Sequence, residues 1–172
     1  MKATNVIGRQ VTSRDGGRQV GRIKDLVVDP AGREVIGLVL SDSMFLPSKV
    51  AAWKAVQAFG EDNVVLDTMR SVVKAGSDRA IKAALAKKTH IKGLRLVTTK
   101  GKDLGKISDV VFDETTGEIY GYELSGGRFS DVFDGTPFLP TPQWIELGKD
   151  VAFIAPEIEA TVVPSGRQKP GI

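Results

Sequence analysis

Cysteine is absent from this chain and histidine occurs once, so disulfide staples, thiolate metal sites, cysteine nucleophiles and paired-histidine metal sites are excluded at the outset. Apolar runs are only a few residues long, far below the ~20 that a membrane helix needs. The opening Met1-Lys2-Ala3-Thr4-Asn5-Val6 lacks the apolar stretch of a secretory signal. Neither the phosphate loop Gly-x-x-x-x-Gly-Lys-Ser/Thr nor Gly-x-Gly-x-x-Gly occurs. A Ser-His-Asp triad would have to use His90, which has no nucleophile-elbow motif nearby. These absences predict a cytoplasmic protein with no membrane span, no cofactor and no catalytic site.

What the chain does contain is a repeat. Gly21-Arg22-Ile23-Lys24-Asp25-Leu26-Val27-Val28-Asp29 is answered by Gly105-Lys106-Ile107-Ser108-Asp109-Val110-Val111-Phe112-Asp113. The alignment holds without a gap, at an offset of 84, through Gly37 and Gly121. Such self-similarity predicts two copies of one structural unit. Short apolar runs alternate with Gly, Pro and Asp turns, the pattern of a small antiparallel barrel. Gly21 is expected at a bulge. The interior is expected to draw on Ile23, Val27, Ile36 and Leu38, with their equivalents Ile107, Val111, Tyr120 and Tyr122. Phe138-Leu139-Pro140 resembles Phe45-Leu46-Pro47 at an offset of 93, which implies nine extra residues in the loop Ser125 to Thr136.

Between the copies the composition changes. Residues 71–102 hold nine Lys/Arg against one Asp, and residues 103–160 hold three against twelve Asp/Glu. Ser77 is a plausible N-cap for a short Ala-rich helix over Asp78 to Lys88, with Ile81, Ala84 and Leu85 on one face. Eleven residues make a helix that is marginal alone, so the stripe must dock. Lys82, Lys87, Lys88, Lys92 and Arg95 are the candidate anion contacts of this basic segment. No aromatic residue accompanies them for base stacking.

Other constellations read as structural. Asp29 and Asp113 open turns, while Asp25 and Asp109 face solvent or bond a turn. Carboxylates four residues apart on a strand lie ~13 Å apart, too far to share a cation. Asp131 to Thr136 lacks the ligand spacing of a calcium loop. Ser125-Gly126-Gly127-Arg128 is either a flexible hairpin tip or an anion nest. In the expanded loop Phe129, Val132 and Phe133 are candidate partner contacts. The alternative is that they cap the second barrel or fill the seam between barrels.

The ordered series of Gly, Asp-Gly, Val-Gly-Arg-Ile-x-Asp-Leu-Val-Val-Asp, Leu-Pro and Gly-Glu-Asp-x-Val-Val-Leu, answered in the second copy by Lys-Gly, Leu-Gly-Lys-Ile-x-Asp-Val-Val-Phe-Asp, Leu-Pro and Gly-Lys-Asp-Val-Ala-Phe, resembles the PRC-barrel family, over residues 5–67 and 91–154. That family takes its name from the cytoplasmic domain of the photosynthetic reaction-centre H subunit, and also supplies the C-terminal domain of a ribosome-maturation factor. The resemblance implies a mainly β protein: two small antiparallel PRC-type barrels joined by a short basic helix. The expected organisation is barrel 1 over 1–70, linker over 71–90, barrel 2 over 91–155 and a flexible tail over 156–172. It also implies a non-enzymatic scaffold that contacts a protein partner or itself. The alternative is an RNA- or ribosome-associated factor that uses the basic segment 71–102.

Overall fold

The structure is a computed structural model that describes residues 1–41, 49–74, 77–86 and 90–165. The protein is mainly β and contains two seven-stranded sheets with the same topology. In the first, β1 (Gln10–Ser13), β2 (Arg18–Val28), β3 (Val35–Ser41), β4 (Lys49–Ala52), β5 (Val56–Phe59), β6 (Asn63–Leu66) and β7 (Val72–Lys74) lie in the order β5-β6-β1-β2-β3-β4-β7. The short helix α1 (Arg79–Ala86) follows. The second sheet comprises β8 (Arg95–Thr98), β9 (Asp103–Phe112), β10 (Ile119–Ser125), β11 (Pro137–Pro140), β12 (Ile145–Leu147), β13 (Val151–Ile154) and β14 (Val163–Pro164), in the order β12-β13-β8-β9-β10-β11-β14. No helix among the described residues is long and apolar enough to cross a membrane.

The glycine motif works as its chemistry requires. Val11 pairs with Gly21 and Thr12 with Gln19, leaving Val20 as the extra residue of a bulge. Leu96 with Gly105 and Val97 with Asp103 repeat that bulge around Leu104. Gly21 and Gly105 have φ of 146° and 108°, a region that L side chains avoid. A Cβ on Gly105 would also lie 2.6 Å from the Gly126 carbonyl oxygen.

Several details differ from the sequence expectation. Each sheet contains one parallel pair, β1 with β6 and β8 with β13, because the chain reaches the far edge travelling in the same direction as the first strand. The interior is set by strand facing, so Ile36 and Val111 are only half-buried and Tyr120 points out, 37% exposed. Finally, β11 answers β4. Gly37 pairs with Ala52 and Gly121 with Pro140, so the true offset here is 88 and the loop between β10 and β11 gains four residues, not nine. Phe45, Leu46 and Pro47 lie outside the described residues. Short strands also occupy both stretches expected as linker and tail: β7 pairs with β4, and β14 pairs with β11.

The two repeats form one body. Glu34 pairs with Glu118, its own equivalent at offset 84. The flanking bonds are reciprocal: Val35 N–H donates to the Gly117 carbonyl and Ile119 N–H to the Arg33 carbonyl, both at 2.8 Å. A residue opposite its own counterpart requires a two-fold axis, and a translation cannot produce it. Each turn beside the axis packs on the other repeat. The Tyr122 hydroxyl donates to the Gly32 carbonyl at 2.5 Å, and Trp53 meets Phe112 edge to face at 5.5 Å. A single apolar core runs through both repeats, including Val11, Leu38, Leu66, Leu96, Ile107 and Tyr122.

The segments leading into β1 and β8 cross over in the same symmetric way. Thr4 donates to the Asp109 carboxylate in the second repeat, through both backbone N–H and hydroxyl. His90 Nδ1 lies 2.6 Å from Asp25 Oδ2 in the first. Asp25 and Asp109 also each accept the N–H of the following residue. Asp109 is therefore buried in a clasp rather than facing solvent, because the chain's own N-terminal segment covers it.

Candidate partner-binding groove

The outward face of β2, β3 and β4 is apolar: Val27, Ile36, Val39, Val50 and Ala52. Helix α1 covers it with Ile81, Ala84 and Leu85. The N-cap is Asp78 rather than the expected Ser77, since Asp78 Oδ1 accepts from the N–H groups of Ala80 and Ile81 at 2.9 and 3.0 Å. Ile81 fits because Gly37 leaves a hollow: a Cβ built there would stand 3.3 Å from Ile81 Cδ1.

The matching face of β9, β10 and β11 has no helix over it among the described residues. At the positions of Val27, Ile36, Val39, Val50 and Ala52 it presents Val111, Tyr120, Glu123, Phe138 and Pro140. All five line an open groove of about 930 Å³. The Phe138 ring lies over Gly121, where Ile81 lies over Gly37 in the first repeat. Glu123 is 6% exposed, and its charge is met by Lys2 Nζ at 2.8 Å and the Ser165 hydroxyl at 3.2 Å. Lys2 reaches it because the N-terminal segment bridges to Val111. Tyr120 stands at the rim and donates its hydroxyl to Asp113 at 2.7 Å. That bond, with the N–H groups of Thr116 and Thr115, holds the Asp113 carboxyl down at about 2, and Asp113 in turn pushes the Tyr120 hydroxyl up. Arg33, Glu34 and Glu118 complete the rim beside the two-fold axis. Among the described residues neither of these glutamates forms an ion pair.

The residues singled out from the sequence lie elsewhere. Phe129 and Phe133 stack at 5.6 Å, are half-buried and pack against the main core, whereas Val132 is 72% exposed. Their loop is pinned at its start, where Gly127 approaches Gly105 and Arg128 lies 3.4 Å from Glu159. Lys82 and Lys92 are exposed, while Arg95 is paired with Asp103 and the neighbouring Lys102 with Glu159. Lys87 and Lys88 lie outside the described residues. No three His, Asp or Glu side chains converge as a metal shell among the described residues.

The groove was detectable in the repeat alignment. At the constant offset of 84, Val39 is answered by Glu123 and Ile36 by Tyr120, both polar changes, although residues three apart share a face here only because of the bulge at Tyr120. The sequence model of a family described as PRC-barrel domain matches the chain twice, over residues 1–81 and 87–159. No curated protein matches it.

Proposed function

The chain belongs to the PRC-barrel family, as two domains in tandem, and on that premise we propose that it is a non-enzymatic scaffold that engages a protein partner through the groove of its second repeat. The observation that carries this reading is the contrast between equivalent faces: one is closed by α1 and the other is an open groove. A sheet face with apolar floor and polar rim is the ordinary anatomy of a contact surface. The recurring carboxylates support a non-catalytic role, because Asp25, Asp29, Asp109 and Asp113 are all engaged in backbone bonds that hold turns and clasps. On this reading the protein works in the cytoplasm.

The alternative, an RNA- or ribosome-associated role for residues 71–102, draws on exposed Lys82 and Lys92 and loses support from the pairing of Arg95 and Lys102. A photo-crosslinking residue placed at Tyr120, with a control at exposed Lys54, separates the two readings in cells of the native host. A protein adduct at position 120 and none at position 54 is expected. An adduct to nucleic acid, or none at 120, overturns the proposal.

A further inference from the structure

Resting on that protein-contact reading, we infer that the groove accepts a short amphipathic α-helix from the partner, aliphatic along one face and basic beside it. It lies over the strands equivalent to those under α1, but against the Phe138 ring, which fills the glycine hollow that Ile81 occupies in the first repeat. Three observations converge on this occupant. The groove lies over β10, which is hydrogen-bonded on both sides by β9 and β11. A single partner strand would add at a sheet edge, whereas a sheet face is covered by a helix or by a whole second sheet, and of these only the helix is one short segment. The same protein already shows that solution, since α1 covers the equivalent face with a stripe at i, i+3 and i+4.

Charge supplies the third observation. Glu34 and Glu118 stand opposite each other across the two-fold axis, an arrangement of like charges that costs stability in a bare sheet. Both line the groove. Lys2 is committed to Glu123, which leaves Arg33 as the one other rim cation among the described residues. A lysine or arginine brought by the partner would relieve the glutamate pair, and the surrounding residues 103–160 carry an excess of acidic side chains.

The probe is a fluorescein-labelled peptide with the sequence of residues 77–90, titrated into the full chain at low salt and followed by anisotropy. Saturable binding is expected, weakened at least tenfold by Tyr120→Asp or by Glu34→Lys with Glu118→Lys in the protein. The same loss is expected when the peptide's Ile81 and Leu85 are both replaced by Asp, or its Arg79, Lys82, Lys87 and Lys88 by Glu. Near-ultraviolet circular dichroism confirms that the protein variants keep their packing. No binding to the wild-type chain, or binding indifferent to these changes, overturns the inference. So does binding that emerges only when residues 166–172 are deleted, which would make the chain's own C-terminal segment the occupant. If the peptide fails while a protein adduct forms at position 120, the helical partner is lost and the contact reading stands. If both fail, both are lost.

Discussion

Asp29 and Asp113 occupy equivalent positions and perform the same local task with different reach. Asp29 Oδ1 accepts from the N–H groups of Arg33 and Glu34, and Asp113 Oδ1 from those of Thr115 and Thr116. Only Asp113 adds a side-chain donor, Tyr120, because the first repeat has Ile36 there. Hydrogen bonding to the ionised form lowers a carboxyl pKa, here to about 2 against ~3.9 in an unfolded chain. A folded value below the unfolded one contributes stability that is fully present above about pH 4 and is lost as pH falls toward 2. Urea unfolding between pH 5 and 2 is expected to show a shallower acid loss for Asp113→Asn than for the parent, and the Asp113 carboxyl carbon is expected to titrate near 2 by NMR. A midpoint near 4 would mean that the Tyr120–Asp113 bond does not form in solution.

At the level of the element, the strands β3 and β10 show how one glycine serves two packings. A Cβ at Gly121 would overlap the Leu139 carbonyl and approach the Phe138 ring to 2.5 Å. At Gly37 the nearest atoms are the Ala51 carbonyl at 3.0 Å and the movable tip of Ile81 at 3.3 Å. Gly121→Ala is therefore expected to cost ~1–3 kcal/mol by overpacking, and Gly37→Ala less, read as shifts in urea midpoint. The reverse order would contradict this packing. Much at this scale was legible in the sequence: the bulge glycines, the aspartate turns and the long strands, each governed by local backbone chemistry. The register of β11 was not, because pairing with β10 fixes it and a three-residue likeness to Phe45-Leu46-Pro47 carries no information about pairing. Nor were β7 and β14, three and two residues long, since strands that short exist only by virtue of distant neighbours. Simple alternation puts Tyr120 with Tyr122 and Val111 with Ile107 in the interior, but bulges between Ile119 and Gly121 and between Ile107 and Asp109 turn Tyr120 and Val111 to the opposite face. The aromatic pair Phe129 and Phe133 stands out in the sequence, but its half-burial against the core depends on where the loop folds back.

For the whole molecule, the shared core decides how it unfolds. Each repeat holds roughly the minimum chain length for an independent core, and each buries part of its interior against the other: Gly32 on Tyr122 and Ile145, Gly117 on Val35 and Trp53. Calorimetry is expected to show one transition, with calorimetric and van't Hoff enthalpies equal. Residues 1–74 and 90–165 produced separately are expected to lack a cooperative transition of their own. Two resolved transitions would show the halves to be independent. The two-fold axis through Glu34 and Glu118 also bears on stoichiometry. A dimer assembled from identical separate chains would be bivalent by symmetry, with every covered face covered twice and every open face open twice. Such a dimer would bridge its ligands into networks. Covalent fusion lifts that constraint, so Val39 and Glu123 can differ and α1 can close one face only. On the proposed reading the product has a valence of one, so that it would terminate or decorate an assembly without crosslinking it.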